Sequence, residues 1–186
     1  MPPFRKVGES EIFAGALIKV ATATFEGPSG RFERDIVHHP GAVVVVPLTD
    51  TGSVIMVRQF RSAIGTDLLE IPAGKRDVTG EPPEETARRE LAEEVGRGAS
   101  NLELLARFYN SPGFTDELSW LYLATGLSDV PHDRQGHEEQ LMSVEEVPLR
   151  DTEAMIADGR IVDAKSIIGL TLTALRSARG GTPRQT

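Results

Sequence analysis

The sequence predicts an α/β or α+β sandwich, in which strands alternate with helices. Three segments carry this prediction: a continuous β-branched run at 42–48, a helical segment at 82–95, and an amphipathic stretch from Asp163 to about Ala178. The β-branched run is expected of a strand buried on both faces. Strands mixed with helices indicate layers of sheet and helix packed around a core.

Length and charge narrow the class of protein. The chain has 186 residues and a mass of 20.2 kDa, which suits one domain. It carries 28 acidic and 20 basic residues, so its net charge is −8. Non-specific nucleic-acid binding needs the opposite balance, and we expect no nucleic-acid partner. The chain contains no cysteine, which excludes disulfides, zinc–thiolate sites and thiol nucleophiles.

No segment resembles a membrane span or a secretion signal. The longest stretch without Asp, Glu, Lys or Arg is 36–49, whereas a spanning helix needs about 20 apolar residues. The N-terminal sequence MPPFRKVGESE lacks the apolar region of a secretion signal. We expect a soluble cytoplasmic protein with no membrane partner.

The first 40 residues are predicted to be a β-strand segment. Residues 16–25 and 31–38 read as strands around the turn sequence EGPSG, and they could form a hairpin. A two-stranded unit is marginal alone, so we expect residues 1–40 to pack on something else, such as a partner subunit. Residues 41–178 are the main predicted domain, and 179–186 are a frayed tail.

The main domain is predicted to combine short strands with three helices. Asp151 is a favourable N-cap residue for the second helix, and residues 129–140 read as a polar loop. Besides the run at 42–48, the predicted strands are 53–60, 68–74, 103–110 and 118–125.

Two pairs of residues that often carry chemistry receive structural interpretations. Trp120 and Tyr122 alternate in a predicted strand, which indicates packing roles. His38 and His39 precede Pro40 and are predicted to end a strand rather than to bind a ligand.

The helix at 82–95 has the clearest chemical potential. Two prolines open it, where proline is tolerated, and Gly96 supplies a C-terminal stop. Glu90 and Glu94 are four residues apart, so their carboxylates lie on one face, with Glu93 adjoining. Like charges at this spacing destabilise a helix, and a hard divalent cation such as Mg²⁺ would offset the repulsion.

A solvated acidic face is the alternative interpretation of this helix. Glu84 could pair with Arg88, and Glu85 with Arg89, at i,i+4 spacing. The flanking sequence favours a ligand site, because Gly74 ends a Pro-Ala-Gly turn in which the backbone can approach a ligand or metal closely.

The segment from Gly74 to Gly96 resembles the signature of the Nudix hydrolases. The matching residues are Glu81, Arg89-Glu90-Leu91, Glu93-Glu94 and Gly96. The segment departs from the signature by one extra residue before Glu81 and by Arg97, which replaces an aliphatic residue. The resemblance implies an αβα sandwich with a mixed sheet between helices. It also implies a loop–helix–loop that holds Mg²⁺ or Mn²⁺ and hydrolyses a nucleoside diphosphate linked to another moiety.

Further segments resemble the ADP-ribose pyrophosphatase branch of that family. Pro112 follows Arg97 by fifteen residues, close to the branch's marker proline, and His137-Glu138-Glu139 fall in the loop that carries the branch's catalytic glutamate. The segments VRQFR and LLEIPAG are also typical of the branch. The resemblance implies hydrolysis of ADP-ribose to AMP and ribose 5-phosphate by a homodimer whose N-terminal strands help to form the adenine site.

Roles for individual residues follow from the same resemblance. Arg89 would orient the site by pairing with a carboxylate such as Glu81, and an ordinary surface pair with Glu85 is the alternative. Two or more ions are implied. The implied metal ligands are Glu90 and Glu94, with Glu93 as a secondary ligand and the backbone carbonyl of Ala73 as a further one.

A general base and a substrate pocket complete the expected site. Glu139 is the expected base, Glu138 is the alternative, and His137 ranks third. A solvated acidic loop remains the structural alternative for all three. The expected substrate-binding residues are Arg61, Glu70, Arg34, Pro112 and Gly113. For Arg61, Glu70 and Arg34, a surface position on a strand edge is the structural alternative.

Two other functions stay open at this point. A Nudix pyrophosphatase could act on nucleotide sugars or another nucleoside diphosphate derivative with the same chemistry. A non-catalytic module could sense ADP-ribose, but such modules often lose a carboxylate or carry an added DNA-binding domain. This chain keeps Glu90, Glu93 and Glu94 and has no basic extension.

Overall fold

A computed structural model describes residues 3–131 and 140–180 of the chain. Within these residues the chain forms ten strands and three α-helices. The strands are β1 (Arg5–Ala14), β2 (Lys19–Gly27), β3 (Gly30–His38), β4 (Ala42–Pro47), β5 (Ser53–Arg61), β6 (Thr66–Glu70), β7 (Ala73–Lys75), β8 (Arg97–Tyr109), β9 (Leu118–Asp129) and β10 (Ser143–Pro148). The helices are α1 (Pro83–Val95), α2 (Thr152–Ala157) and α3 (Ala164–Ala178). The predicted mixture of strands and helices is confirmed.

The chain divides into two compact units. The N-terminal unit contains Met1–Ala42 and Phe108–Ser119, and the larger unit contains Val43–Arg107 and Trp120–Thr186. The domain boundary near residue 40 and the frayed tail stay predictions.

The N-terminal unit is built on an antiparallel sheet in the order β1-β2-β3. The predicted hairpin is present, since β2 pairs with β3 from Lys19 opposite His38 to Gly27 opposite Gly30. Strand β1 was not predicted, because all ten of its residues are exposed and no face is apolar. The segment 108–119 joins this unit through a hydrogen bond of 2.7 Å from the Val37 N–H to the Phe114 carbonyl.

The larger unit contains two sheets, in the orders β10-β5-β6 and β7-β4-β9-β8. Strand β10 was not predicted, and β8 begins at Arg97, earlier than the predicted start at 103. The strand predicted at 68–74 is interrupted, because β6 ends at Glu70 and Pro72 precedes β7. Proline has no N–H to continue a ladder.

Helices cover both faces of strand β4, all six residues of which are buried. Helix α1 packs on one face, and α3 approaches the other so closely that a Cβ at Gly169 would meet Val46 at 2.9 Å and Leu121 at 3.2 Å. The predicted sandwich of helix, sheet and helix is therefore present in this unit. The buried layer against α1 includes Val43, Val45, Ile55, Val57, Ala87, Leu91, Val95, Tyr122 and Ala124.

Helix α2 begins directly after Asp151, as predicted, but the expected side-chain cap is absent. Asp151 was expected to cap this helix, but it ends a turn of 3₁₀ helix (Leu149–Asp151) in a helical conformation and makes no capping bond with its side chain. Asp163 does cap α3, because its carboxylate accepts a hydrogen bond of 2.8 Å from the Ser166 N–H. Among the described residues, no helix combines the length and apolar character that a bilayer crossing requires.

Candidate active site

The local sequence defines both ends of helix α1. Pro82 precedes the helix in an extended conformation, and Pro83 occupies its first turn. Gly96 ends the helix with a φ of 64°, a left-handed conformation that glycine adopts without strain, and its N–H donates to the Ala92 carbonyl at 3.0 Å. These are the start and stop that the sequence predicts.

Two buried carboxylates lie on one face of α1. Glu90 is 9% exposed and Glu94 is 4% exposed. The Glu94 carboxylate accepts a hydrogen bond of 3.2 Å from the Ala73 N–H. Gly74 lies directly against Glu90, since a Cβ at residue 74 would overlap the Glu90 side chain. The Pro-Ala-Gly turn therefore packs on the acidic face of the helix, and glycine is required for that approach.

Arg89 links three carboxylates. Its Nη1 donates to Glu90 at 2.8 Å and to Glu93 at 3.0 Å, while its Nε and Nη2 donate to Glu81 at 3.3 and 3.2 Å. The structure thus contains the pairing with Glu81. Among the contacts of the described residues, Arg89 makes none with Glu85, which was the alternative.

The charges around Arg89 keep it protonated. Burial lowers the pKa of the Arg89 guanidinium, but the hydrogen bond to Glu81 and the charges of Glu90 and Glu93 outweigh burial and raise it above its usual range. The hydrogen bond from Arg89, followed by that from Thr86, lowers the pKa of the Glu81 carboxyl. Arg89 is therefore a permanent cation within an acidic cluster.

Glu70 and Arg61 form a second charged pair. Arg61 Nε and Nη2 donate to the two carboxylate oxygens of Glu70 at 2.7 and 2.6 Å, a bidentate geometry. The Glu70 side chain is 1% exposed and that of Arg61 is 36% exposed. The hydrogen bond to Glu70 raises the pKa of Arg61. Glu70 is thus buried, so the alternative interpretation, a surface position on a strand edge, is wrong for this residue.

Three residues at the start of α3 complete this region, and sequence reasoning gave none of them a role in the site. Lys165 Nζ lies 2.5 Å from Asp163 and 3.4 Å from Glu70. The Ser166 hydroxyl donates to Asp163 at 2.7 Å and accepts from the Ile71 N–H at 2.9 Å. Helix α3 therefore anchors the backbone immediately before the Pro-Ala-Gly turn.

The carboxyl of Asp163 stays ionised in this buried setting. Burial raises its pKa, but the charge and hydrogen bond of Lys165 and the hydrogen bonds from Ser166 outweigh burial and lower it. The only sequence signal for the group was the position of Asp163 at the start of the predicted amphipathic stretch. The contact of Lys165 with Glu70, which lies 95 residues earlier in the chain, was not visible.

Arg34, Pro112 and Gly113 line a pocket of about 400 Å³ within the N-terminal unit. The Arg34 guanidinium lies 4.8 Å from the Phe32 ring centroid, which fixes it by a cation–π contact. Exposed aromatic side chains of Tyr109 and Phe114 also line the pocket. The structure thus brings these three predicted substrate-binding residues together. Arg61 and Glu70 belong to the other unit.

A histidine holds the loop beside that pocket. His38 ends β3, as predicted, and its Nδ1 lies 2.5 Å from Asp116, which also accepts from the His39 N–H at 2.9 Å. The hydrogen bond to Asp116 raises the pKa of His38. The separation of 78 residues hid this contact from sequence reasoning.

The expected base and its alternatives, Glu139, Glu138 and His137, lie outside the described residues.

The donor set on α1 suits a hard divalent cation, although it is not a complete cage. Within residues 3–131 and 140–180, no group of three His, Asp or Glu side chains converges in the manner of a finished metal site. Arg89 explains this, because its guanidinium lies between Glu90 and Glu93. Mg²⁺ typically uses one or two protein carboxylates together with substrate phosphates, so Glu90 and Glu94 fit that requirement.

Similarity to known proteins extends over most of the chain, including helix α1 and the residues that flank it. The NUDIX domain profile matches residues 37–165. The chain belongs to the Nudix family. It is 39% identical over 175 residues to an ADP-ribose pyrophosphatase of Bacillus subtilis (strain 168), covering 94% of each chain. It is 37% identical, with the same coverage, to a methanol dehydrogenase activator of Bacillus methanolicus. A crystal structure of an ADP compounds hydrolase shares the fold of this Nudix chain, with a TM-score of 0.80, 23% identity and 98% coverage of both chains.

Proposed function

We propose that this chain is a divalent-metal-dependent hydrolase that splits ADP-ribose with water into AMP and ribose 5-phosphate. One observation carries the proposal: Glu90 and Glu94, both buried, face the Ala73–Gly74 turn at the position expected of a Nudix box. The name of the Bacillus subtilis relative supports ADP-ribose as the substrate.

The proposed cation is Mg²⁺ or Mn²⁺, in two or more copies. Glu90 and Glu94 would hold it, with Glu93 and the Ala73 carbonyl as further ligands. All four supply oxygen, which hard divalent cations prefer. A bound cation of this kind neutralises phosphate charge and lowers the pKa of coordinated water.

Arg89 is proposed to fix the carboxylates in place. One nitrogen donates to both Glu90 and Glu93, and the others hold Glu81 at the start of the box. Because the guanidinium keeps its charge, it remains a hydrogen-bond donor to these carboxylates whenever they are ionised. Preorganised charges need not rearrange when the reaction occurs, and this lowers the barrier.

In each unit, taken by itself, residues are proposed to bind substrate groups other than the scissile phosphates. Glu70 and Arg61 present a rigid carboxylate and guanidinium for ribose and phosphate, respectively. Arg34, Pro112 and Gly113 line a pocket with exposed aromatic side chains, which suits a planar base.

Glu139 is proposed as the base that takes a proton from the attacking water, with Glu138 as the alternative. This assignment rests on the sequence alone. Glu139→Gln should lower kcat more than it changes KM, because a base acts in the transition state. A crippled Glu138→Gln beside an active Glu139→Gln would move the assignment by one residue.

We also propose a homodimer in which the N-terminal strands pack across the subunits. All ten residues of β1 are exposed, and they include Ile12 and Phe13 at 62% and 55% exposure. Strand β1 is the edge strand of its sheet in the described part of the chain, and apolar side chains on an exposed edge favour association. Light scattering should give twice the chain mass of 20.2 kDa, and a single chain mass would contradict the dimer.

Glu94→Gln tests the metal assignment. The amide keeps the shape of the side chain but loses the charge, so we expect kcat to fall by about 100-fold or more while the protein stays folded. Glu85→Gln is the matched control, since Glu85 lies exposed on the same helix. Near-normal activity of Glu94→Gln would refute the assignment.

A substrate panel tests the specificity separately. ADP-ribose, nucleotide sugars, diadenosine polyphosphates and NADH would be compared by kcat/KM, with the products identified. A value about 100-fold higher for another compound would replace ADP-ribose as the substrate and leave the metal assignment intact. Binding of ADP-ribose without AMP release in Mg²⁺ or Mn²⁺ would indicate a sensing module.

A further inference from the structure

Two arginines flank the single tryptophan of the chain. The Cζ of Arg107 lies 4.9 Å from the Trp120 ring centroid, and the Cζ of Arg76 lies 5.7 Å from it. Arg76 follows β7 directly, while Arg107 and Trp120 belong to β8 and β9. Arg107 is exposed and the other two are half-buried, so solvent reaches this cluster of Arg76, Arg107 and Trp120.

Neither guanidinium is bonded to an acidic side chain among the described residues. In the described part of the chain, Arg76 and Arg107 make no hydrogen bond or ion pair, and each guanidinium lies over the indole face. The charge of Arg76 also helps to lower the pKa of Glu81, but the Glu81 carboxylate is already bonded to Arg89 and Thr86. The charge of Glu84 reaches this region, because it acts on the pKa of Tyr122 together with both arginines. Glu84, however, is already paired with Arg88 at 2.9 Å. Within residues 3–131 and 140–180, no anion is therefore bonded to either cation.

Two donors of the same cluster also lack an acceptor. Among the described residues, the buried side-chain nitrogen and oxygen atoms without a hydrogen-bond partner are Arg76 Nε and Trp120 Nε1. Buried polar atoms are almost always paired, so an unpaired one calls for a missing group. Both atoms can only donate. The missing group must accept hydrogen bonds, and the neighbouring charges require it to be negative.

We propose that the cluster of Arg76, Arg107 and Trp120 binds a phosphate oxyanion, either inorganic phosphate or a phosphate monoester. Phosphate offers several acceptor oxygens and suits the planar fork of arginine better than a monovalent ion does. The site is distinct from the carboxylates of α1, because none of its three residues belongs to that helix, although the charge of Arg76 also acts on Glu81. It adds a ligand beyond the proposed reaction and does not depend on hydrolysis.

Tryptophan fluorescence gives a direct assay, because Trp120 is the one tryptophan in the chain. Inorganic phosphate and ribose 5-phosphate would be titrated in separate arms, with EDTA present and ionic strength held constant with NaCl. We expect a saturable change in emission, and the arm with the lower Kd identifies the ligand. A linear change, no change, or an equal change with NaCl alone would overturn the proposal.

Nuclear magnetic resonance reports on the unpaired donor itself. The single indole N–H gives one cross-peak, and we expect phosphate to shift it downfield as Nε1 gains an acceptor. A cross-peak that stays fixed while phosphate saturates would place the ligand elsewhere and refute the site.

Charge-removing variants complete the test. Arg107→Gln and Arg76→Gln should each weaken phosphate binding by about tenfold or more, because each removes charge-assisted hydrogen bonds. Arg88→Gln is the matched control, since Arg88 is already bonded to Glu84 and to the Ala99 carbonyl. Arg107 is exposed, so its variant keeps the test valid if Arg76→Gln fails to fold. Equal weakening by Arg88→Gln would overturn the proposal.

A metal-site variant separates this inference from the proposed function. Glu94→Gln should retain the phosphate response of Trp120 in full. Loss of that response would show that phosphate binds at the box, and the separate site would then be rejected whatever the catalytic activity.

Discussion

Replacing Ser166 with alanine tests how the Pro-Ala-Gly turn is held. The hydroxyl accepts from the Ile71 N–H at 2.9 Å and donates to Asp163 at 2.7 Å. Ser166 is fully buried, so water cannot take its place. Asp163 keeps its bonds to the Ser166 N–H and to Lys165, and the Ile71 N–H is the group left unpaired.

The expected loss of stability in Ser166→Ala follows from the single unpaired Ile71 N–H. A buried donor without a partner costs roughly 1–3 kcal/mol. The free energy of unfolding should fall by this amount, which is about 5- to 150-fold in the ratio of folded to unfolded chain. Because Ile71 lies two residues before Ala73, the turn should also loosen. Half-maximal activity should then need more Mg²⁺.

Urea unfolding and Mg²⁺ titration of the hydrolysis rate would measure the two effects. Thr173→Val is the matched control, because Thr173 is also fully buried in α3 but donates only to the Gly169 carbonyl of its own helix. The control should leave the Mg²⁺ dependence unchanged. The reasoning fails if both variants shift that dependence equally, or if Ser166→Ala unfolds at the same urea concentration as the parent.

Three other perturbations have definite outcomes. Gly74→Ala should lower hydrolysis by about 100-fold or more, since the added Cβ displaces Glu90, and a normal Mg²⁺ titration would contradict this. Arg89→Lys should lower kcat by roughly tenfold or more without unfolding the chain, because an ammonium cannot hold the box carboxylates as a guanidinium fork does, and unchanged kcat would refute the orienting role. The hydrogen bond to Asp116 raises the pKa of His38, so its stabilisation is complete below about pH 6.5 and is lost as the pH rises through the raised value. The difference in unfolding free energy between the parent and His38→Gln, at most about 1 kcal/mol for a largely exposed pair, should therefore shrink from pH 6 to pH 9, and a constant difference would contradict it.

The parts predicted well from the sequence are those encoded locally. Helix α1 has its prolines, its apolar stripe and Gly96 within a short segment, and both ends agree with the structure. Strand β4 is apolar throughout, which is typical of a strand covered on both faces.

The parts that were missed depend on contacts with distant segments. Strand β1 has no apolar face, so pairing with β2 rather than its own pattern defines it. Asp151 has the residue type of a cap but a helical backbone, which cannot present its side chain to the helix start. Lys165 carries no local sign of its contact with Glu70, because the two residues are 95 positions apart.

The pairing of arginine with carboxylate illustrates the same limit. The sequence indicated two possible partners for Arg89, Glu85 from i,i+4 spacing and Glu81 from the family resemblance, and only the folded loop selects between them. The turn before α1 brings Glu81 back over the helix, where Arg89 reaches it along with Glu90 and Glu93. The sequence therefore indicates which carboxylates Arg89 could contact, and the tertiary structure determines which of them it does contact.

The anchor of the turn on α3 has a consequence for biosynthesis. During translation, residues 74–96 are synthesised well before Ser166. The acidic cluster of a growing chain is therefore present before the Ile71 N–H can bond to the Ser166 hydroxyl. We expect a chain stopped after Asp158 to be inert, and measurable hydrolysis by it would contradict this. Catalytic competence would then be acquired last, when the final helix docks, and prematurely terminated products would leave cellular nucleotides untouched.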